Sequence, residues 1–315
     1  MKLVMAFFKL IRSMNLFFIV ITQCLFYYAI LVPTYHHYDR PIGLQPNLFY
    51  LLVFASVLIA AGGYIINDYF DINIDRINKP DKLVVDKIIR RRWAIIWHWL
   101  MSTAGILISF FVGWKLSHTI FLGLFNIGCV VLLWFYSTTF KKKLLSGNII
   151  ISILTAWVVF VLYAAEFGYS VTYGGLESID ALAKVFKLAV VYAGFAFIIS
   201  LIREVVKDIE DMAGDSKYGC KTMPVVWGVR VSKVFIATWL IVLMASITIL
   251  QLYVIRFGWW LSISYAAILI IAPLLLIFLK LSKAKSTQDF HQLSNWIKAV
   301  MMTGILSMFF FWFYA

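Results

Sequence analysis

Charge is what this 315-residue chain has least of: Asp, Glu, Lys and Arg together make up 14% of it, against 63% hydrophobic residues and a mean hydropathy of +0.91. That shortage excludes a soluble globular domain. With recurrent apolar runs of about 20 residues, it places the chain among polytopic helical membrane proteins. Acids are scarcer still, 15 Asp and Glu against 28 Lys and Arg, for a net charge of +13. In a membrane protein such an excess reports topology first, so no nucleic-acid partner is expected. Cysteine is nearly absent. Cys24 and Cys129 fall in apolar runs and Cys220 in a polar stretch, which excludes a disulfide framework or a thiolate metal site. There is no Ser/His/Asp or Cys/His constellation for nucleophilic catalysis, and no Asp-Gly-x-x-Ala-Arg signature of a CDP-alcohol phosphotransferase. A removable signal peptide is not expected, because the first apolar run is long enough to span and lacks a small-residue cleavage site.

What is there is a set of nine candidate spans, at roughly 14–34, 47–66, 93–114, 119–137, 148–166, 185–203, 234–255, 258–279 and 296–314. The fold expected is all-α: one polytopic bundle of nine transmembrane helices over 1–315. An odd count puts the termini on opposite sides, and the basic residues test it. All but Arg40, Lys115, Lys184, Lys187 and Arg256 fall on the side of the N-terminus and of the loops after even-numbered spans, which is therefore cytoplasmic. Ten of the 15 acids sit in two of those loops, at about 67–92 and about 203–233. Their positions, four spans apart, hint at an internal duplication. Smaller features read plainly. His36 and His37 belong to a far-side polar loop, His98 with Trp93, Trp97 and Trp99 to an interfacial belt, and Glu166 to a solvated cap at the end of span five.

The two acidic loops carry the chemistry. In the first, Asn67, Asp71 and Asp75 recur every four residues and would share one helix face, with Asp68 beside them. Like charges at that spacing repel unless a cation sits among them. In the second, Asp208, Asp211 and Asp215 are spaced three and four apart. A solvated loop with capping acids is the plain alternative, and it does not account for the same stripe occurring twice. Asp71-x-Asn73-x-Asp75 also imitates a calcium loop, but Arg76 stands where the turn glycine belongs and Lys82 where the bidentate glutamate belongs. Basic residues accompany both stripes: Arg76, Lys79 and Lys82 after the first, Arg203, Lys207, Lys217 and Lys221 around the second. Magnesium prefers a few carboxylates together with phosphate oxygens. Facing stripes of acid for metal and base for phosphate therefore read as a diphosphate clamp at the mouth of an apolar bundle, and hence as a site for a lipid-tailed donor.

These residues resemble a known family. Asn67-Asp68-x-x-Asp71-x-x-x-Asp75 and Asp211-x-x-x-Asp215 look like the two signature motifs of the UbiA superfamily of intramembrane prenyltransferases, whose nine spans and cytoplasmic motif loops agree. The resemblance implies two Mg2+ ions holding an isoprenyl diphosphate, with Asn67, Asp71, Asp211 and Asp215 as ligands and Asp68, Asp75 and Asp208 in support. Asp71, Asp75, Asp211 and Asp215 would be the catalytic acids. Arg76, Lys82, Tyr136, Lys141, Arg203, Lys207 and Lys221 would bind the diphosphate. The phrases Ile74-Asp75-Arg76-Ile77-Asn78-Lys79-Pro80, Arg203-Glu204-x-x-Lys207-Asp208-Ile209-Glu210-Asp211, Lys221-Thr222-Met223-Pro224 and Lys141-Lys142-Lys143-Leu144-Leu145-Ser146-Gly147-Asn148 are most similar to the branch that makes digeranylgeranylglyceryl phosphate, an ether-lipid precursor.

Three departures matter. Enzymes that prenylate aromatic acids carry Arg directly after the third motif position, where this chain has Ile72. They also carry Tyr-x-x-x-Lys at the end of span four, whereas Tyr136 and Lys141 are five apart. The Arg-Pro-rich, Ser-Gly turn usual after Asn78-Lys79-Pro80 in the lipid branch is replaced by Asp81-Lys82-Leu83-Val84-Val85-Asp86-Lys87. The resemblance implies ionisation of the allylic diphosphate and capture by a lipid acceptor, a glycerol-phosphate prenyl ether, with an aromatic quinone precursor as the alternative. A divalent-cation transporter, the reading from another class, needs ionisable groups near the bilayer midplane, and these spans are almost free of charge.

Overall fold

The computed structural model describes residues 2–78, 84–175 and 178–314. Among them nine helices are long and apolar enough to cross a membrane, and none of the described residues forms a strand. A short helix α1 (Lys2–Leu10) precedes the spans α2 (Ser13–His37), α3 (Pro46–Asn78), α4 (Arg91–Ser117), α5 (Phe121–Thr138), α6 (Ser146–Gly174) and α7 (Ile179–Glu210). After a one-and-a-half-turn helix α8 (Met212–Lys217) come α9 (Met223–Phe257), α10 (Trp260–Lys283) and α11 (Thr287–Tyr314). In hydrocarbon every backbone N–H and C=O must be paired within the chain, which is why the apolar runs are helical.

The span count stands, but the spans were expected to end before the two acidic stretches, and the helices run on into both. α3 runs on through Asn67, Asp71 and Asp75 to Asn78, and α7 through Arg203 and Asp208 to Glu210. A change from apolar to polar side chains does not by itself end a helix, and neither Gly nor Pro occurs between Asn67 and Pro80 in the sequence. The 33 residues of α3 make a rod of about 50 Å, against a hydrocarbon core of about 30 Å, so its polar end projects beyond the apolar layer.

The chain forms two compact units, and α6 and α7 each give one part to each. Unit 1 comprises residues 1–140 and 157–190. Within it α3 packs most extensively on α4, through small residues that let the backbones approach. A methyl group at Gly62 would lie 2.7 Å from Ser102 Oγ, and one at Gly105 would lie 2.7 Å from Ile59. His98 belongs to this seam. It is buried and its Nδ1 lies 2.9 Å from the Gly62 carbonyl, so it is a helix-packing residue and no part of an aromatic belt. Trp93 and Trp99 are exposed, as a belt requires. Leu10, Ile11 and Leu16 join Ile65, Ile72 and Ala94 in a core that seats α1 against α3 and α4.

At the other end of unit 1 the solvated cap expected at Glu166 is instead a buried latch. Its side chain is 0% exposed, and its two oxygens accept the backbone N–H groups of Gly43 (3.0 Å) and Leu44 (2.9 Å). Tyr27 donates to the Leu44 carbonyl at 2.7 Å. The loop after α2 thus has its orphan N–H groups satisfied by a residue more than a hundred positions away.

Unit 2 comprises residues 141–156 and 191–315. Ile202, Val205 and Val206 of α7 pack with Leu240 of α9, Leu274 and Ile277 of α10 and Leu293 and Ile297 of α11. α9 is broken at Gly228 (φ 82°, ψ 163°), a conformation that favours glycine, so its first turn stands apart from the span. α11 opens with a capping box between Ser286 and Asp289. Cys220, the loop thiol, is 3% exposed.

Replacing Glu166 with Ala removes one acceptor and strands two buried N–H groups, each costing about 1–3 kcal/mol. Melting in detergent should fall by several degrees or more, while Glu166→Gln, which keeps an oxygen acceptor, should fall less. Equal melting of wild type and both variants would show that the latch does not hold the loop.

Candidate active site

The polar end of α3 forms the first half of the site, in unit 1. At about 100° per residue, Asn67, Asp71, Asp75 and Asp68 fall within an arc of about 100° on one helix face. All four are half-buried. The repulsion expected of such a row is offset locally. Asn67 Nδ2 donates to Asp71 Oδ2 at 2.8 Å. Arg12 Nη2 meets Asp68 Oδ1 at 2.7 Å, and its guanidinium lies over the Tyr64 ring at 5.1 Å. Burial works against the Arg12 charge, but Asp68, Tyr64 and Asp71 more than offset it and its pKa is raised. Arg12 reaches this position because it takes a left-handed backbone (φ 52°, ψ 56°) between α1 and α2. That conformation costs about 1–2 kcal/mol in a residue with a Cβ. Sequence reading saw Arg12 only as a flank charge, since nothing local marks a partner 56 positions away.

Arg76 lies on the opposite flank of α3 and pairs with Asp86 at 2.8 Å; Arg91 holds the same carboxylate at 3.2 Å. The hydrogen bond from Arg91, with Arg76, keeps Asp86 below the usual carboxylate range. In this state Arg76 therefore braces the turn before α4 and does not extend the acidic row. Lys82 lies outside the described residues. Tyr136 sits on the last full turn of α5, which ends at Thr138, so Tyr136 and Lys141 do not share a helix face.

The second half belongs to unit 2. Arg203, Lys207 and Asp208 are on α7, Asp211 is at the break between α7 and α8, and Asp215 is in α8. Asp215 N–H donates to the Asp211 carbonyl (3.2 Å), and Cys220 N–H to the Asp215 carbonyl (2.9 Å). The loop then returns, with Lys221 N–H donating to the Lys142 carbonyl at 2.7 Å. That bond brings the Lys141–Lys143 turn beside Lys221. Asp208 accepts from Asn148 Nδ2 at 2.8 Å. Arg203 Nη1 bonds Glu204 at 2.9 Å, and Lys207 Nζ reaches the same carboxylate at 3.4 Å. Arg203 Nε is buried without a hydrogen-bond partner, a donor that fits an incoming oxyanion. Asn148 and Glu204 were legible only as parts of longer phrases, not as partners.

Among the described residues no three His, Cys, Asp or Glu side chains converge as a ready-made metal cage. The donors of each half are carboxylate and amide oxygens. That set suits Mg2+, which completes its shell with water and phosphate and does not need an all-protein cage.

The profile of the UbiA prenyltransferase family matches residues 38–298. Digeranylgeranylglyceryl phosphate synthase of Methanothrix thermoacetophila is 35% identical over 265 residues, 82% of this chain and 84% of the relative. The synthase of the same name from Methanosphaera stadtmanae is 29% identical over 269 residues, 84% of this chain and 89% of the relative. A solved structure of a digeranylgeranylglyceryl phosphate synthase aligns with a TM-score of 0.62 at 24% identity, covering 98% of this chain and 99% of that one. A UbiA homologue from Archaeoglobus fulgidus, solved with DMAPP and Mg2+ bound, aligns with a TM-score of 0.57 at 16% identity, covering 96% and 98%. At such identities the structural likeness establishes the fold.

Proposed function

The chain belongs to the UbiA prenyltransferase family, a family of membrane-embedded prenyltransferases, and from that premise we propose that it is a Mg2+-dependent enzyme transferring a geranylgeranyl group from its diphosphate to a glycerol-phosphate prenyl ether. The observation that carries the reading is the row Asn67, Asp68, Asp71 and Asp75 on one face of a helix that projects past the apolar layer. The relatives named as digeranylgeranylglyceryl phosphate synthases support the acceptor class. So does Ile72, which is 4% exposed in the core with Leu10 and Ile65, where an arginine for an aromatic carboxylate has no place.

Asn67, Asp71, Asp211 and Asp215 would hold two Mg2+ ions, with Asp68, Asp75 and Asp208 close by. When bound, the metal neutralises charge growing on the leaving diphosphate. The chain's own cations do the rest. Arg203 offers its unpartnered Nε to a diphosphate oxygen, and Lys207, Lys221, Lys141, Lys82 and Tyr136 supply further donors, while Arg76 would have to leave Asp86 to join them. Asn67 holds Asp71 and Arg12 holds Asp68, which fixes the first row. With the negative charge held, the allylic C–O bond ionises and the acceptor oxygen captures the carbon in a water-poor setting. This requires acids of both units to serve one diphosphate, the two working as a single domain that opens to the cytoplasm.

The direct test is purified protein in detergent, labelled geranylgeranyl diphosphate, Mg2+ and a panel of acceptors. Asp71→Asn and Asp211→Asn should each lower turnover by at least ~100-fold, the scale of losing one preorganised electrostatic contact. The double variant should be scarcely worse than either single one, since both act on one leaving group. Asp180→Asn, in the exposed first turn of α7, is the control. Near-normal turnover in both single variants would separate the two acidic rows and defeat the clamp.

The same panel should show clear turnover of a glycerol-phosphate prenyl ether and little of 4-hydroxybenzoate. The reverse preference would move the chain to the aromatic branch. Because Cys220 is buried, orientation is better read from a cysteine at exposed position 217. Lys217→Cys should react with an impermeant thiol reagent from the cytoplasmic side alone, and labelling from outside intact cells would reverse the topology.

A further inference from the structure

Ether formation releases a proton from the acceptor hydroxyl, and the mechanism above assigns nothing to receive it. One half-buried carboxylate of unit 2 also has no role in that step. Glu204 has a side chain 12% exposed, flanked by Arg203 at 14% and Lys207 at 25%. At about 100° per residue, Ser200, Glu204 and Asp208 share one face of α7, and Asp211 follows just past its end. Within unit 2 that face meets the first turns of α6. Asn148 bonds Asp208 at 2.8 Å and Thr155 bonds Ser200 at 3.2 Å, with buried Ser152 between them in the sequence. The register sets Glu204 level with Ser152, inside this polar seam. Along the axis it lies seven residues, about 10 Å, nearer the apolar interior than Asp211. If Asp211 holds the diphosphate through metal and the prenyl tail runs into the apolar interior, Glu204 stands on the tail side. That is the side of the carbon that loses its diphosphate.

Its present partners matter as much as its place. Arg203 Nη1 (2.9 Å) and Lys207 Nζ (3.4 Å) both rest on Glu204, and both are donors assigned above to the diphosphate. A carboxylate paired with two cations is a poor base. A desolvated carboxylate whose cations have moved to another anion takes up a proton readily.

We propose that Glu204 is the base that receives the acceptor's hydroxyl proton, and that donor binding readies it by drawing Arg203 and Lys207 onto the diphosphate. The inference rests on the prenyl-transfer reading. In the step, the allylic C–O bond breaks and its electron pair leaves with the diphosphate. A lone pair of the acceptor oxygen forms the new C–O bond. The O–H bond breaks with its pair kept on that oxygen, and the proton passes to a Glu204 carboxylate oxygen and later to water. No oxidant or reductant is needed, and the net products are the ether, diphosphate and one proton.

The test separates ionisation from capture in the full-length protein with Mg2+. A donor carrying ¹⁸O in the bridging position reports ionisation by exchange of the label into non-bridging positions, while the ether reports capture. An unreactive thiolodiphosphate analogue reports donor binding. Glu204→Gln should keep analogue binding and label exchange close to wild type and lose ether formation by about 100-fold or more, the scale of a general base. Prenyl alcohol should rise as water captures the cation. Glu204→Asp should bind and exchange like wild type and recover part of the ether rate, which keeps the idea testable should the glutamine variant fold poorly. If analogue binding, exchange and ether formation fall together in both variants, Glu204 only holds its two cations and the inference is wrong. Near-normal ether formation in Glu204→Gln also overturns it. Absence of both exchange and ether in wild type with every acceptor would remove the prenyl-transfer reading and this inference with it.

Discussion

Carboxylates stacked on one helix face beside an apolar layer repel one another and lose much of their hydration, so each must be given a donor by the chain. In unit 1 that demand explains why Arg12 accepts a left-handed backbone, since the bend brings its guanidinium to Asp68. The bend also folds α1 back, where Leu10 and Ile11 pack against Ile65 and Ala94. In unit 2 it explains the carboxamide of Asn148 on Asp208, and the backbone loop that closes from Asp215 through Cys220 to Lys221. The basic flank of each acidic row is therefore part of what lets the row exist, before any substrate arrives.

The spans were legible because a bilayer makes one demand that few other settings make, an unbroken apolar run with its backbone paired internally. Their ends were less so. Hydropathy marks where the apolar layer stops, and the helix stops later, which is how the first acidic stretch came to be expected in a loop and is in fact the last third of α3. The single side chains misread share one property: their partners are far away in sequence. Glu166 at the end of an apolar run looks solvated until Gly43 and Leu44 are placed against it. His98 among tryptophans looks interfacial until the close approach of Gly62 gives it a carbonyl. Neither contact has a local signature.

The site divides the same way. Residue type and spacing marked the two acidic rows as able to bind metal and their basic neighbours as able to bind phosphate, and the resemblance to the UbiA family singled out Asn67, Asp71, Asp211 and Asp215 within them. How the cations are held in the absence of substrate does not follow from spacing. Arg76 was expected beside the acidic row and is engaged by Asp86 across the helix. Arg203 and Lys207 were expected to bind the diphosphate, and they rest on Glu204.

That last arrangement bears on how charge can be handled at the edge of a bilayer. Three ions brought together from water would each lose hydration, which costs several kcal/mol per ion in a poorly solvated site. Arg203, Glu204 and Lys207 are half-buried and have undergone part of that loss during folding, with Nη1 and Nζ on the carboxylate and the buried Nε without a hydrogen-bond partner. An oxyanion arriving at this cluster meets partly desolvated cations and exchanges one anionic partner for another. Part of the cost of assembling the charges then falls on folding and not on each binding event. On the proposed mechanism that exchange would take Arg203 and Lys207 from Glu204, so securing the anion would also change what this carboxylate can do.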